Sequence, residues 1–217
     1  MQQLTTTAPQ TPILPRSFYA RDAATVARDL VGSSLIRRLP DRTLRVRIVE
    51  TEAYVGSHDL ASHASKGRTA RTAVMFGPPG HAYVYLIYGM YHMLNIVTGE
   101  DGDAQAVLIR AAEPLAEERE LGKDRISENT MHIEPTAADD PIGPLNGPGR
   151  LTKSLSITMA LNRLDLCDPD DPPLALAAGR PPTHIVTAPR IGVDYAGEWA
   201  AAPLRFYDPD SRHVSRR

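Results

Sequence analysis

The chain is poor in sulfur and in large rings other than tyrosine: its 217 residues hold one cysteine, Cys167, one tryptophan and three phenylalanines. A single thiol excludes a disulfide within the chain, a cysteine-based zinc site and an iron–sulfur cluster, all of which need several sulfur ligands. Long apolar runs are missing as well. No stretch approaches the roughly 20 consecutive apolar residues of a membrane-spanning helix, and the opening MQQLTTTAPQTPILPR lacks the charged start and hydrophobic core of a signal peptide. Residues 1–16 therefore read as a flexible tail on a cytoplasmic protein. Nor is there an excess of positive charge: 24 Lys and Arg against 26 Asp and Glu give a formal net charge of −2, whereas nucleic-acid-binding domains usually carry a basic face. These absences leave the chemistry to ordinary side chains.

What is present suffices for one packed domain over 17–217: 42% of the residues are apolar, and neither a repeat nor a linker divides the chain. The basic residues cluster at 37–38, 42–47, 66–71 and 150–153 and in the closing SRHVSRR, so a local basic face is compatible with the acidic total. FYARDAATVARDLVG reads as an amphipathic helix with Asp22 as N-cap, Val26 and Leu30 on one side and Gly32 as the stop. SSLIRRL, a turn at Pro40-Asp41 and TLRVRIVETEAYVG read as a β-hairpin. HDLASHASKGRTARTAVMFGPPG, punctuated by Gly and Pro, is an irregular loop. YVYLIY and YHMLNIV form a second hairpin joined by Gly89-Met90 as a two-residue turn, with Tyr91, Met93 and Asn95 set against His92, Leu94 and Ile96. AVLIRAAEPL is a further strand, and residues 114–148 are mostly loose with helical character near 115–121. GRLTKSLSITMAL is a helix with Leu151, Leu155 and Met159 in a row, and short strands follow around HIVTAPRIGV and PLRFYD.

Three features bear on chemistry. Strict alternation along TLRVRIVETEAY puts Leu44, Val46 and Ile48 on the face of Glu50, Glu52 and Tyr54, so an apolar side runs straight into two carboxylates. A carboxylate there must be paired or functional; salt bridges to nearby arginines, or a strand end in solvent, account for it as well as a general base does. His58, Asp59 and His63 match no ligand spacing typical of a metal site, and a single histidine offering a hydrogen bond from its loop fits better. Finally, four of the eight tyrosines, Tyr83, Tyr85, Tyr88 and Tyr91, fall within AYVYLIYGMYHMLN. An aromatic hairpin is ordinarily core, yet Tyr88 borders a turn, where burial is hard. Tyr85 lies deeper, where Tyr54, Asn95 and Arg110 would complete a pocket.

In this order, RIVETEAYVG, ASHASKGRTAR, MFGPPGHAYVYLIYGMYHMLNIV, AVLIRAAEP, GPGRL and RIGVDYAGEW together resemble the alkyladenine DNA glycosylase family, the mammalian type of 3-methyladenine DNA glycosylase. The resemblance implies a single α+β domain around a curved antiparallel β-sheet, with a protruding β-hairpin, peripheral helices, and neither metal nor cofactor. It implies a monomer acting on double-stranded DNA that contains alkylated or deaminated purines, flipping the base out and hydrolysing its N-glycosidic bond without cutting the strand. Carried over by position, Glu52 is the general base that activates water, and Arg110 and the backbone carbonyl of Ile191 help to hold that water. Tyr54, His63 and Tyr85 form the pocket for the extruded base. Tyr88, beside Met90 at the hairpin tip, is the wedge that enters the minor groove, and Asn95 crowds the 2-amino group of guanine. Arg68, Arg71, Arg150 and Lys153 fall in segments that contact phosphates. Leu60, His92 and Met93 depart from residues common in the family, which bears on substrate breadth and DNA affinity rather than on the reaction.

Two other functions share parts of the pattern. A non-catalytic nucleic-acid-binding module would use the tyrosines as a stacking platform, but has no use for Glu52 near phosphates. A small-molecule nucleoside hydrolase shares the glycosidic chemistry, but has little need of an exposed Tyr88.

Overall fold

The computed structural model describes residues 12–115 and 142–217. A single helical turn, α1 (Arg16–Tyr19), precedes helix α2 (Ala23–Leu30). The Asp22 side chain caps α2 as expected, accepting from the Thr25 N–H at 2.9 Å. Ala23, Val26, Ala27 and Leu30 are buried, the i, i+3, i+4, i+7 stripe of an amphipathic helix. That stripe packs on a sheet of eight strands: β1 (Ser34–Arg38), β2 (Thr43–Tyr54), β3 (Ala82–Ile87), β4 (Tyr91–Thr98), β5 (Gln105–Pro114), β6 (Leu174–Ala177), β7 (Val186–Ala188) and β8 (Arg205–Tyr207). Their order is β3-β4-β5-β2-β1-β6, antiparallel, with β8 pairing to β2 and to β7. The result is the α+β architecture on a curved antiparallel sheet that the sequence suggested. No helix among the described residues is long and apolar enough to cross a membrane.

Long β2 organises the site. Its first half pairs with β1, Glu50, Thr51 and Glu52 with β8, and most of its other edge with β5. The β2–β5 register is constant except between Ile48 and Thr51, where a bulge leaves Val49 and Arg110 without a partner in the ladder. Before the bulge Leu44, Val46 and Ile48 point into the main core; beyond it Ala53 does, and on β5 the same switch separates Val107 and Ile109 from Ala112. Strict alternation therefore fails at this point, which corrects the expectation that Glu52 and Tyr54 share the face of Ile48. An unpaired residue in each strand reverses which side chains point inward, and Glu52, Tyr54 and Arg110 turn to the opposite face together.

Other departures are local. The second hairpin closes with Ile87 opposite Tyr91, so its turn is Tyr88-Gly89-Met90 rather than Gly89-Met90 alone. Tyr88 and Gly89 both have positive φ, 53° and 70°, the pattern of a type I′ turn. The helix expected over GRLTKSLSITMAL ends early: α3 spans Pro148–Ser154, Ser156 adopts φ 51°, and a short 3-10 turn follows at Met159–Leu161. Leu151 and Leu155 are buried, but Met159 is 46% exposed and so does not continue their row. Strand β6 lies in a stretch that reads as loop, because LALA has no alternation and follows two prolines. Within the expected tail, Ile13 bridges Ala177 and the Leu14 N–H donates to the Leu176 carbonyl at 2.7 Å. The helical character expected near 115–121 falls, beyond Leu115, outside the described residues.

Candidate active site

The face to which the β2–β5 bulge turns Glu52 and Arg110 is the floor of a cavity of about 220 Å³. The sheet contributes Tyr54, Tyr83, Tyr85, Asn95 and Arg110 among others; further lining comes from the loop carrying Ser62 and His63, from Met75, from Tyr88, from residues 191–195, and from Pro148 at the start of α3. Cavities for drug-sized ligands run to about 300–1,000 Å³, so this one suits a single smaller group.

Glu52 lies behind that wall, with no exposed surface. Three cavity-lining residues hold its carboxylate: the Ile191 N–H donates to Oε1 at 2.7 Å, the Tyr54 hydroxyl donates to Oε2 at 3.1 Å, and Arg110 Nη1 is ion-paired with Oε1 at 3.2 Å. A carboxylate offers about four lone-pair sites, more than these three contacts occupy among the described residues. Burial pushes the Glu52 pKa above the ordinary carboxylate range, and the pull of Arg110, the Ile191 N–H and the Tyr54 hydroxyl does not cancel it. Such a group takes up a proton more readily than an ordinary carboxylate.

Aromatic rings form the walls. Tyr83 and Tyr85, on one side of β3, lie with centroids 5.3 Å apart, and His63 packs edge-on against Tyr85 at 4.6 Å. His63 Nδ1 and the Tyr83 hydroxyl are hydrogen-bonded at 2.9 Å. Burial, and after it Arg71, pushes the His63 pKa down, so the ring is neutral at pH 7. Asn95 sits on the floor, its side-chain amide donating to the Tyr83 carbonyl at 3.3 Å. Tyr83 is thus both buried in the core and part of the cavity wall.

Outside the cavity the surface changes character. Tyr88 is 83% exposed and Met90 66% exposed at the hairpin tip. An aromatic residue at positive φ is uncommon and costs about 1–3 kcal/mol. Tyr91 braces the hairpin against α3, where a Cβ on Gly149 would come within 2.9 Å of the Tyr91 ring, so only glycine fits. Arg71 lies over the Tyr85 ring at 5.0 Å, and Arg68 is exposed on the same loop. Arg150 and Lys153 are exposed on α3, beyond the Pro148 that lines the cavity.

Comparison with known proteins addresses which activity such a site belongs to. A family model described as "Methylpurine-DNA glycosylase (MPG)" matches residues 17–212. The chain belongs to the methylpurine-DNA glycosylase family. Proteins named "Putative 3-methyladenine DNA glycosylase" are similar to it along nearly their whole lengths. That of Methanocella arvoryzae is 52% identical, covering 95% of this chain and 97% of its own; that of Myxococcus xanthus is 50% identical, covering 94% and 93%. That of Streptomyces avermitilis is 42% identical, covering 96% and 93%.

Within a DNA glycosylase of the methylpurine type, the expected residues divide into two groups. Tyr54, His63, Tyr85, Asn95, Arg110 and Ile191 line one cavity; Met90, Arg68, Arg71, Arg150 and Lys153 are exposed, and Tyr88 both lines the cavity and reaches out from it. At Ile191 the structure records the N–H on the carboxylate. Asp59, weighed above beside His58 and His63, is ion-paired with Arg190 at 2.5 Å, so it is not free to serve a metal. Arg190 and Tyr195 are the residues that sequence reasoning passed over, although RIGVDY contains both. Tyr195 lines the cavity while 72% exposed, its hydroxyl donating to the Ala61 carbonyl at 3.3 Å.

Proposed function

We propose that this protein finds alkylated or deaminated purines in duplex DNA, turns them out of the helix into the cavity, and hydrolyses the N-glycosidic bond with a water activated by Glu52. The observation that carries the reading is the Glu52 carboxylate, buried with a raised pKa and held by three groups that all line an aromatic-walled cavity. A base inside a duplex is out of reach of such a site, so it must leave the stack at a cost of a few kcal/mol, least for a damaged base. Tyr88, exposed at the tip with positive φ, fills the vacated space.

Tyr54, Tyr85 and His63 then enclose the base. Alkylation at a ring nitrogen makes a purine cationic, and a desolvated cation–π contact is worth about 2 kcal/mol. The same charge makes the base a ready leaving group: the C1′–N bond loosens toward an oxocarbenium ion, and Glu52 takes the proton of the attacking water while its charge faces the developing cation. Arg110, with the carbonyl of Ile191, orients that water. Asn95 on the floor disfavours the 2-amino group of guanine. Among the described residues the wall holds no lysine, so the product is an abasic site and the strand stays intact. Arg68, Arg71, Arg150 and Lys153 serve phosphates on either side, and the protein works as a cytoplasmic monomer.

The test uses duplex oligonucleotides carrying 3-methyladenine, 7-methylguanine, 1,N6-ethenoadenine or hypoxanthine, assayed for alkali-labile abasic sites. The wild-type protein is expected to release at least one base, and Glu52→Gln to release none at a comparable rate. Full activity in Glu52→Gln would remove Glu52 as the base; cleavage without alkali would overturn the hydrolytic mechanism.

A further inference from the structure

We propose that Arg190, paired with Asp59, is the positioning residue of this site, and that their mutual neutralisation lets the cavity accept a positively charged base. The proposal rests on the glycosylase reading above.

Both side chains are fully buried, and neither has a part in the chemistry just described. Arg190 meets Asp59 end-on, Nη1 donating to Oδ2 at 2.5 Å and Nη2 to Oδ1 at 2.8 Å. Nη1 also donates to the Ala53 carbonyl at 2.9 Å, and Nη2 to the Trp199 carbonyl at 3.4 Å. One fork therefore ties together the end of β2, the 55–62 loop and the segment after β7. Each leads into the site. Ala53 separates Glu52 from Tyr54. Asp59 also accepts from the N–H groups of Val55 and Ala61, at 3.2 and 3.0 Å, and so shapes the loop that delivers Ser62 and His63. The residue after Arg190 is Ile191, whose N–H fixes Glu52. A planar guanidinium with five donors meets these acceptors at once, whereas an ammonium with three tetrahedral donors does not.

The charge has a second consequence. The guanidinium lies 4.8 Å from the centroid of Tyr54, and Tyr54 lines the cavity while Arg190 does not. A cationic base against Tyr54 thus has a second cation beyond the ring. Asp59 cancels that charge at contact distance, so a like-charge penalty does not develop. An apolar pair of similar size is often as stable as a buried ion pair, so packing alone does not call for these two residues.

The experiment compares wild type, Arg190→Lys, Asp59→Asn and the double variant Arg190→Met with Asp59→Leu. The probes are duplexes carrying 7-methylguanine, which is cationic, or 1,N6-ethenoadenine, which is neutral; single-turnover rates, affinity for an abasic-site duplex and Tm are read. Arg190→Lys is expected to slow release of both bases about 100-fold, the scale of a small misplacement, with duplex affinity unchanged. Asp59→Asn leaves a lone cation and is expected to lower the 7-methylguanine to ethenoadenine rate ratio at least about tenfold. The double variant, neutral at both positions, is expected to recover the wild-type ratio at a reduced rate. A wild-type rate in Arg190→Lys, or equal loss on both bases in Asp59→Asn, overturns the proposal. Should Asp59→Asn not fold, the double variant decides: a shifted ratio or an unreduced rate overturns it. If wild type releases neither base nor any of the others named above, the glycosylase reading itself fails, a result separate from these.

Discussion

Glu50 and Glu52 stand two residues apart on one strand, and both are fully buried, yet their surroundings differ in kind. Glu50 is held by two guanidinium groups, Arg110 Nε at 3.1 Å and Arg205 Nη1 at 3.0 Å, and by the Ser215 N–H at 2.6 Å. Of these only Arg110 lines the cavity; Arg205 and Ser215 belong to β8 and the C-terminal segment. Glu52 has one guanidinium partner, and all three of its contacts line the cavity. Burial alone therefore does not distinguish the two carboxylates; the number of cations around each, and the side on which they stand, does.

The sharpest way to break that contrast is to neutralise each carboxylate in turn. Glu52→Gln is expected to lower the single-turnover rate by about 10²–10⁴-fold, the usual contribution of a general base. Because the fold disfavours the charged form of Glu52, the neutral isostere is expected to raise Tm slightly, a trade between stability and activity. Glu50→Gln is expected to do the reverse. It leaves Arg205 and half of Arg110 buried without their counter-ion, costing about 3–5 kcal/mol of stability, while the folded fraction keeps Glu52 and most of its rate. A lower Tm in Glu52→Gln than in Glu50→Gln would reverse the two roles.

Acidity sharpens the same comparison. Glu52 has a raised pKa in the folded protein, so between about 4.3, the ordinary glutamate value, and that raised value the folded state holds one proton more than the unfolded chain. Its stabilising contribution is therefore full below about 4.3 and lost as pH rises through the folded value. With Glu52 as the proposed base, activity is expected to move the other way, since only the ionised carboxylate accepts a proton. The acid limb of the rate profile is expected to have its midpoint above about 4.3. His63, whose pKa is lowered, acts with opposite sign: its contribution is present above about 6.5 and lost as pH falls through its lower folded value. Subtracting the Tm profile of Glu52→Gln from that of wild type isolates the glutamate. A flat difference would contradict a raised pKa.

Much of this molecule was legible in its sequence, because alternation and turn residues announce β1 to β5 and because residues of the site fall in short dense motifs. What escaped has physical causes. A β-bulge carries no composition signal, so the reversal of faces between Ile48 and Thr51 was invisible, and with it the separation of Glu52 from the core. Arg190 and Asp59 lie 131 residues apart, and nothing local to either one names the other. Tyr83 looked like core because it is core; that its hydroxyl also holds His63 depends on a loop whose path only the fold sets. The motif resemblance singled out Glu52 rather than Glu50, while Arg205 and Ser215, which set the surroundings of Glu50 apart, came only with the fold.

The smallest predicted effect tests the other contrast in the molecule, between the enclosed cavity and the exposed tip. Tyr88 holds φ at 53° with most of its surface in solvent, so its conformation costs free energy that no core contact returns. Tyr88→Gly removes both the ring and the strain, since glycine adopts positive φ freely. Tm is expected to stay level or to rise by a few degrees, because the relief of strain offsets the entropy that glycine adds to the unfolded chain. Affinity for a duplex containing an abasic-site analogue is expected to fall about tenfold, as loss of one aromatic contact with a base is worth about 1–3 kcal/mol. The rate once the base is in the cavity is expected to change little, as Glu52 and its three partners are untouched. Tyr88→Ser separates the two terms: it lacks the ring but keeps a Cβ at positive φ, so it should match glycine in lost affinity and fall below it in Tm. Undiminished affinity in both variants would show that the tip holds its strained tyrosine for some reason other than DNA.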